Sequence, residues 1–204
     1  MGRDLLKIIA VTNGQLKENS LIKTIEQIEH HIDFVIIREK QKSRNEYLSF
    51  LNHLNESAVN KEKLIVHRDA EAACNLGIRR VHLPEHGISL KEVKNQYKDM
   101  ITGRSVHSLE AAKKAEDQGA DYVMYGHIFE TKSKAGIDPR GLVKLEKLTS
   151  ALKIPVIAIG GITPAKIKDL KQAGAQGAAV MSGIFESNDP LETVSQYKKE
   201  ATYV

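Results

Sequence analysis

Eight short apolar runs, each separated from the next by a more polar stretch, most narrowly limit what this chain can fold into. They are "LKIIAVT" from Leu6, "FVIIR" from Phe34, "KLIVH" from Lys63, "RRVHL" from Arg79, "MITGRS" from Met100, "YVMYG" from Tyr122, "PVIAIGG" from Pro155 and "GAAVMSG" from Gly177. Each is short enough for a strand and rich in β-branched or other apolar residues. They read as buried on both faces, which suits parallel strands covered by helices.

Helical patterns fill the spaces between them. "SLIKTIEQIEHH" carries Leu21, Ile22, Ile25 and Ile28 as a one-sided stripe, and "SRNEYLSFLNHLNE" repeats the stripe with Tyr47, Leu48, Leu51 and Leu54. "SLEAAKKAEDQGA" predicts a helix capped by Ser108 and stopped at Gly119. "TPAKIKDLKQAGA" predicts one capped by Thr163, with Pro164 first and Gly174 as the stop. "SLKEVKNQY" is a shorter pattern, and "NDPLETVSQYKKE" predicts the last helix. Eight strand–helix units close naturally into a (β/α)8 TIM barrel, an α/β fold expected here as a single domain over residues 1–204. A doubly wound open sheet is the alternative, but no G-x-G-x-x-G follows the first run.

The 204 residues carry a formal net charge of +4, a modest excess that suits small anionic ligands at least as well as nucleic acid. There is no Trp and only 5% aromatic residues, so bases would find few stacking platforms. No segment has the apolar length of a membrane span. The first residues, "MGRDLLKIIAVTNG", lack a signal-peptide pattern, so the cytoplasm is the expected compartment. The single cysteine, Cys74, excludes an internal disulfide and reads as a small buried helix residue.

In a barrel, the carboxyl ends of the strands face one shared pocket. The first polar residues after each run are therefore the candidates. "IAIGGITP" offers the backbone of Gly160 and Gly161, and "VMSGIF" offers Ser182 and Gly183. Either turn alone is ordinary, but two at adjacent barrel positions favour phosphate held on backbone amides. After the second run, alternation sends Arg38 and Lys40 to one side and Glu39 to the other, which suits two cations facing an anionic ligand; a salt-bridged barrel rim is the alternative. Arg104 and Ser105 end the fifth run. Thr131, Ser133 and Lys134 lie in "ETKSKAGIDP", where Lys134 is either a lid residue that closes over a ligand or, as its sequence taken alone reads, a solvated loop lysine. His127 follows Gly126 at a strand end, and an imidazole with a pKa of about 6.5 suits proton traffic near neutrality. A structural role is the alternative, and His67 and His86 compete for the catalytic one. His82, inside the fourth run, reads as packed. No H-E-x-x-H and no cysteine cluster points to a metal, and no cofactor is expected.

Several stretches together carry a resemblance over nearly the whole chain: "REK" at Arg38, "VHL" at Val81, "GRSVHS" at Gly103, "DYVMYGHIFETKSKAG" at Asp121, "IPVIAIGGITP" at Ile154 and "GAAVMSGIF" at Gly177. The chain resembles the thiamine phosphate synthase/TenI superfamily, and the resemblance implies a TIM barrel of thiamin biosynthesis. The synthase branch carries Gln-Leu before "REK", where this chain has Ile36. Its Asn-Asp after strand three, which holds pyrophosphate and Mg²⁺, is replaced by His67 and Arg68. Its second metal Asp is Gly87 here, and its Gly-Pro before the Phe-x-Thr loop is Gly126-His127. The departures fall on ligand positions while the phosphate turns remain.

The chain is more similar to TenI-type thiazole tautomerases, in which the histidine matching His127 carries the proton transfer. The implied reaction aromatises a carboxythiazole phosphate without metal, giving 2-(2-carboxy-4-methylthiazol-5-yl)ethyl phosphate. The implied partner is that small phosphorylated thiazole, with neither nucleic acid nor membrane. A homodimer is a candidate arrangement, because small barrels can cover exposed helix faces that way. A non-catalytic phosphate-ligand sensor and a divergent thiamine phosphate synthase are the alternatives.

Overall fold

Every apolar run supplies a strand in the computed structural model, which describes residues 5–202. The strands are β1 (Lys7–Val11), β2 (Phe34–Ile37), β3 (Leu64–His67), β4 (Arg80–Leu83), β5 (Ile101–Val106), β6 (Tyr122–Gly126), β7 (Val156–Ile159) and β8 (Gly177–Val180). Each pairs in parallel with its neighbour in sequence, and β8 returns to β1 to close the barrel. Around it lie α1 (Glu18–Ile28), α2 (Arg44–Glu56), α3 (Ala70–Asn75), α4 (Leu90–Gln96), α5 (Leu109–Asp117), α6 (Gly141–Ala151), α7 (Ile167–Gln172), α8 (Ser182–Phe185) and α9 (Pro190–Thr202). No helix among the described residues is long and apolar enough to cross a membrane. Residues 1–4 and 203–204 of the domain expected over 1–204 lie outside the described residues.

The pleat explains why the strands are apolar throughout. Successive side chains point to opposite faces. On β2, Val35 and Ile37 pack outward against the helices, while Phe34 and Ile36 belong to the barrel interior. The interior also takes Ile9, Val11, Ile65, Met124 and Ile157. Both faces are thus removed from water, and a single charge placed mid-strand would be buried on either one.

Local chemistry ends several helices as expected. Ser43 and Glu46 form a reciprocal capping box at the start of α2. The Ser108 hydroxyl accepts from the Ala111 amide at the start of α5, and Gly119 closes that turn at φ +88°. Two expectations fail. Thr163 makes no side-chain cap; its carbonyl instead accepts the Lys166 amide in a tight 3-10 turn, Pro164–Lys166, and α7 begins only at Ile167. Cys74 is exposed, because Ala72 and Ala73 take the inward face of the short α3.

Candidate active site

A cavity of about 810 Å³ opens at the carboxyl ends of the strands. The parity of β2 delivers Arg38 into it, and Lys40 follows on the same side. Glu39 points the other way and is buried, with Gln41 donating to one carboxylate oxygen at 2.8 Å. The Thr12 hydroxyl fixes this strand end by accepting from the Arg38 amide at 2.8 Å.

Ser105, His127, Thr131, Ser133 and Lys134 also line the cavity, as do Gly160, Gly161, Ser182 and Gly183. Arg104 does not. β5 extends through Val106, so alternation separates Arg104 from Ser105. Arg104 instead faces outward with Val106 and donates to the carbonyls of Ile88 and Glu85, at 2.6 and 2.7 Å, bracing the loop after β4. The expectation that it contacts a ligand is corrected to this bracing contact.

His127 is held at its ring, its backbone and its Cβ. Its Nε2 lies 3.1 Å from the Ile137 carbonyl, which can only accept. Nε2 therefore carries the hydrogen, and the neutral ring keeps its lone pair on Nδ1. Arg140 braces the backbone on both sides: its Nε donates to the Gly126 carbonyl at 2.8 Å, and its amide donates to the His127 carbonyl at 2.9 Å. Gly160 closes against the Cβ. It adopts φ +101°, and a Cβ there would overlap the His127 Cβ and lie 2.7 Å from its Cα.

Gly161 follows at φ +65°, packed so tightly that a Cβ would overlap the Glu130 carbonyl. Among the described residues, no backbone hydrogen bond outside the strands and helices draws on the amides of Gly161, Ser182 or Gly183. Free amides in adjacent turns can receive a phosphate. Lys166 supports the same corner, donating to the Gly161 carbonyl at 2.9 Å with its ammonium over the Phe129 ring.

The side of the cavity that carries Arg38 and Lys40 is cationic, with the Arg38 guanidinium 3.9 Å from the Met181 sulfur, next to Ser182. Arg38 next door, together with burial, Lys134 and Arg68, pulls the Lys40 pKa below its usual value. Burial likewise depresses that of Arg38, with Glu39 opposing. The cations raise one another's free energy, and an anionic ligand would relieve that repulsion.

Three other histidines border this space. Burial first, then the charges of Arg38, Lys40 and Arg68, pushes the His67 pKa down to about 3. Burial does the same to His82, also to about 3, with smaller contributions from His67 and Arg104. Both stay neutral near pH 7 and accept protons poorly there. His107 is half exposed, 3.9 Å from a Glu85 oxygen. His86 sits outside the cavity with an 89% exposed side chain. Sequence reasoning did not single out Arg140 or Lys166, whose roles depend on carbonyls fourteen and five residues away. The only local signal was their position just after a strand-end loop.

Comparison with known proteins bears on this architecture. The family model described as thiamine monophosphate synthase, TMP-TENI, matches residues 8–184. A thiamine-phosphate synthase of Hydrogenobaculum sp. is 35% identical over 185 residues, covering 89% of this chain and 86% of that protein. One from Clostridium acetobutylicum is 32% identical over 185 residues, covering 89% and 88%. Among solved structures, thiamine phosphate pyrophosphorylase from Pyrococcus furiosus matches with a TM-score of 0.77 at 24% identity, covering 97% of this chain and 96% of that one. The 3-hexulose-6-phosphate synthase of Salmonella typhimurium matches with a TM-score of 0.75 at 14% identity, covering 96% and 98%. Those two structures are likenesses of fold alone. By the extent of the family match and the identity to the curated relatives, the chain belongs to the thiamine monophosphate synthase/TenI family of thiamine biosynthesis.

Proposed function

We propose that the chain is a thiazole tautomerase, an isomerase that aromatises a carboxythiazole ethyl phosphate to 2-(2-carboxy-4-methylthiazol-5-yl)ethyl phosphate. One observation carries the reading: His127 is a buried imidazole whose Nε2–H is committed to a carbonyl, leaving Nδ1 as the basic nitrogen in this cavity. Nδ1 takes the proton from ring C2. The C2–H pair becomes the C2=N3 bond, the N3=C4 pair moves to C4=C5, and the former exocyclic double bond takes a proton at its outer carbon. The imidazolium returns that proton, directly or through solvent. Its Nε2–H stays on the Ile137 carbonyl throughout, so the ring need not turn between the two steps.

The remaining residues divide by charge. The amides of Gly161, Ser182 and Gly183 hold the phosphate in the turns that Gly160 shapes. Lys40 and Arg38 pair with the carboxylate and offset negative charge as C2 is deprotonated. Thr131, Ser133 and Lys134 close the loop side. The reading takes residues 1–204 as one domain with a small phosphorylated thiazole as partner, in the cytoplasm, and adds no cofactor.

The relatives named as synthases raise a second reading, a divergent thiamine-phosphate synthase, and with it the question of Mg²⁺. Mg²⁺ takes oxygen donors in near-octahedral geometry. The end of β3 presents a neutral imidazole, His67, and a guanidinium, Arg68, the latter at φ +63°; the loop after β4 presents Gly87. Glu85 is occupied with the His107 amide at 3.0 Å and two imidazoles. Among the described residues no three His, Cys, Asp or Glu side chains gather as a metal-holding group. These residues do not fit the ion, and that misfit supports the tautomerase reading over the synthase. A competition experiment separates them. The non-aromatic carboxythiazole phosphate is offered together with Mg²⁺, aminopyrimidine pyrophosphate and thiazole phosphate. The expected result is aromatisation without pyrophosphate release; pyrophosphate release as the dominant turnover would favour the synthase.

A further inference from the structure

Tyr122, His82 and Ser105 form a hydrogen-bonded chain across the barrel interior, ending at the cavity. The Tyr122 hydroxyl lies 3.1 Å from His82 Nδ1, and His82 Nε2 lies 2.8 Å from the Ser105 hydroxyl. Tyr122 and His82 are buried, Tyr122 lies behind the cavity wall, and His82 and Ser105 line the cavity. The chain is built rather than incidental: Gly103 leaves the slot for the Tyr122 ring, since a Cβ there would overlap that ring. The His82 and Tyr122 rings are stacked with centroids 5.6 Å apart.

Hydrogen counting gives the chain a direction. Burial keeps His82 neutral, so one ring nitrogen carries a hydrogen and the other a lone pair. Among the described residues, His82 Nδ1 is the one hydrogen-bond partner of the buried Tyr122 hydroxyl. If Nδ1 carried the hydrogen, the phenolic hydrogen would be buried with no acceptor, an arrangement native interiors avoid. Tyr122 therefore donates to Nδ1, Nε2–H donates to Ser105, and the Ser105 hydrogen is left to point onward. We propose that Tyr122 and His82 are positioning residues that commit the Ser105 hydroxyl to donate into the cavity, to a carboxylate oxygen of the ligand. The carboxylate is favoured over the phosphate because Ser105 lies on β5, two and three strands round the closed barrel from the turns after β7 and β8, and the cations Arg38 and Lys40 line the same cavity. Ser105 thereby distinguishes a carboxylated thiazole phosphate from one without the carboxylate. This rests on the tautomerase reading for the identity of the acceptor, while the direction of the chain does not.

Two measurements test it. In ligand-free, ¹⁵N-histidine-labelled protein, long-range ¹H–¹⁵N correlation at pH 7 should show His82 as the Nε2–H tautomer; the Nδ1–H tautomer would overturn the proposal. This uses the unaltered chain, so it decides even if a variant fails to fold, and it is independent of whether the reaction is as proposed. Next, binding of the aromatic carboxythiazole phosphate is compared with that of its decarboxylated counterpart. Tyr122→Phe and Ser105→Ala should each weaken the carboxylated ligand about tenfold and the decarboxylated one less than about twofold, as expected for a hydrogen bond to a charged group. Tyr122→Phe placed on Ser105→Ala should add no further loss, because its effect passes through that hydroxyl. Additive losses, or equal weakening of both ligands, would reduce Tyr122 to packing and overturn the proposal. If the wild type binds neither ligand, the Ser105–carboxylate assignment falls, whereas a failure to aromatise with intact selective binding sinks only the tautomerase reading.

Discussion

Replacing His127 with Asn is expected to lower the aromatisation rate about 10²–10⁴-fold, the range typical for losing a positioned general acid–base. Binding should survive. The turns after β7 and β8 and the Arg38–Lys40 pair after β2, the groups proposed to hold the ligand, belong to other strands, so the dissociation constant of the carboxythiazole phosphate should change only a fewfold. The Nδ1 lone pair is the one feature that Asn cannot supply, because its amide nitrogen is not basic. His67 cannot take over. Its pKa of about 3, imposed by burial and the surrounding cations, leaves it a poor proton acceptor near neutrality. Single-turnover kinetics and calorimetric binding on the same preparation separate the two effects. A variant that retains wild-type turnover would remove His127 from the chemistry.

Gly160→Ala should be nearly as damaging, by a different route. The position needs φ +101°, and the added methyl would overlap the His127 side-chain root. Backbone strain and overpacking each cost about 1–3 kcal/mol, so an unfolding free energy lower by about 2–6 kcal/mol is expected in urea. Whatever fraction folds must displace His127 or the Gly161 amide, and a shift of about 1 Å can cost about 10²-fold in rate. Phosphate affinity and turnover should therefore fall together, unlike in His127→Asn. Gly77→Ala is the control. Gly77 also has positive φ, +70°, but nothing lies within 4 Å of an added Cβ. It should lose roughly 1–2 kcal/mol of stability from φ strain, with turnover unchanged.

The strands were legible because doubly buried parallel strands leave an unbroken apolar trace, and strand period alone placed Arg38 and Lys40 on one side. His127 could be singled out because a polar residue directly after Gly126 at a strand end has few structural reasons to be there. Arg104 shows the limit. The polar residues of "TGRSV" hid a strand that continues to Val106, and one residue of phase decides whether a side chain meets the cavity or the helix layer. The charge state of His67 was illegible because it depends on burial and on cations from β2 and the loop after β3. The hydrogen bonding of His82 within "RRVHL" was equally hidden, since its partners lie 23 and 40 residues further on. Cys74 failed for the opposite reason: on the six-residue α3, one position separates a buried alanine from an exposed thiol.

The measurement that bears most directly on the central claim is aromatisation of the non-aromatic carboxythiazole phosphate by wild-type protein, followed by NMR in D₂O with excess chelator. The account predicts loss of the ring C2 proton and appearance of the aromatic product far faster than in buffer alone, at a rate unaffected by the chelator. A folded wild-type protein that binds the phosphate yet leaves the aromatisation rate at its buffer value would contradict it.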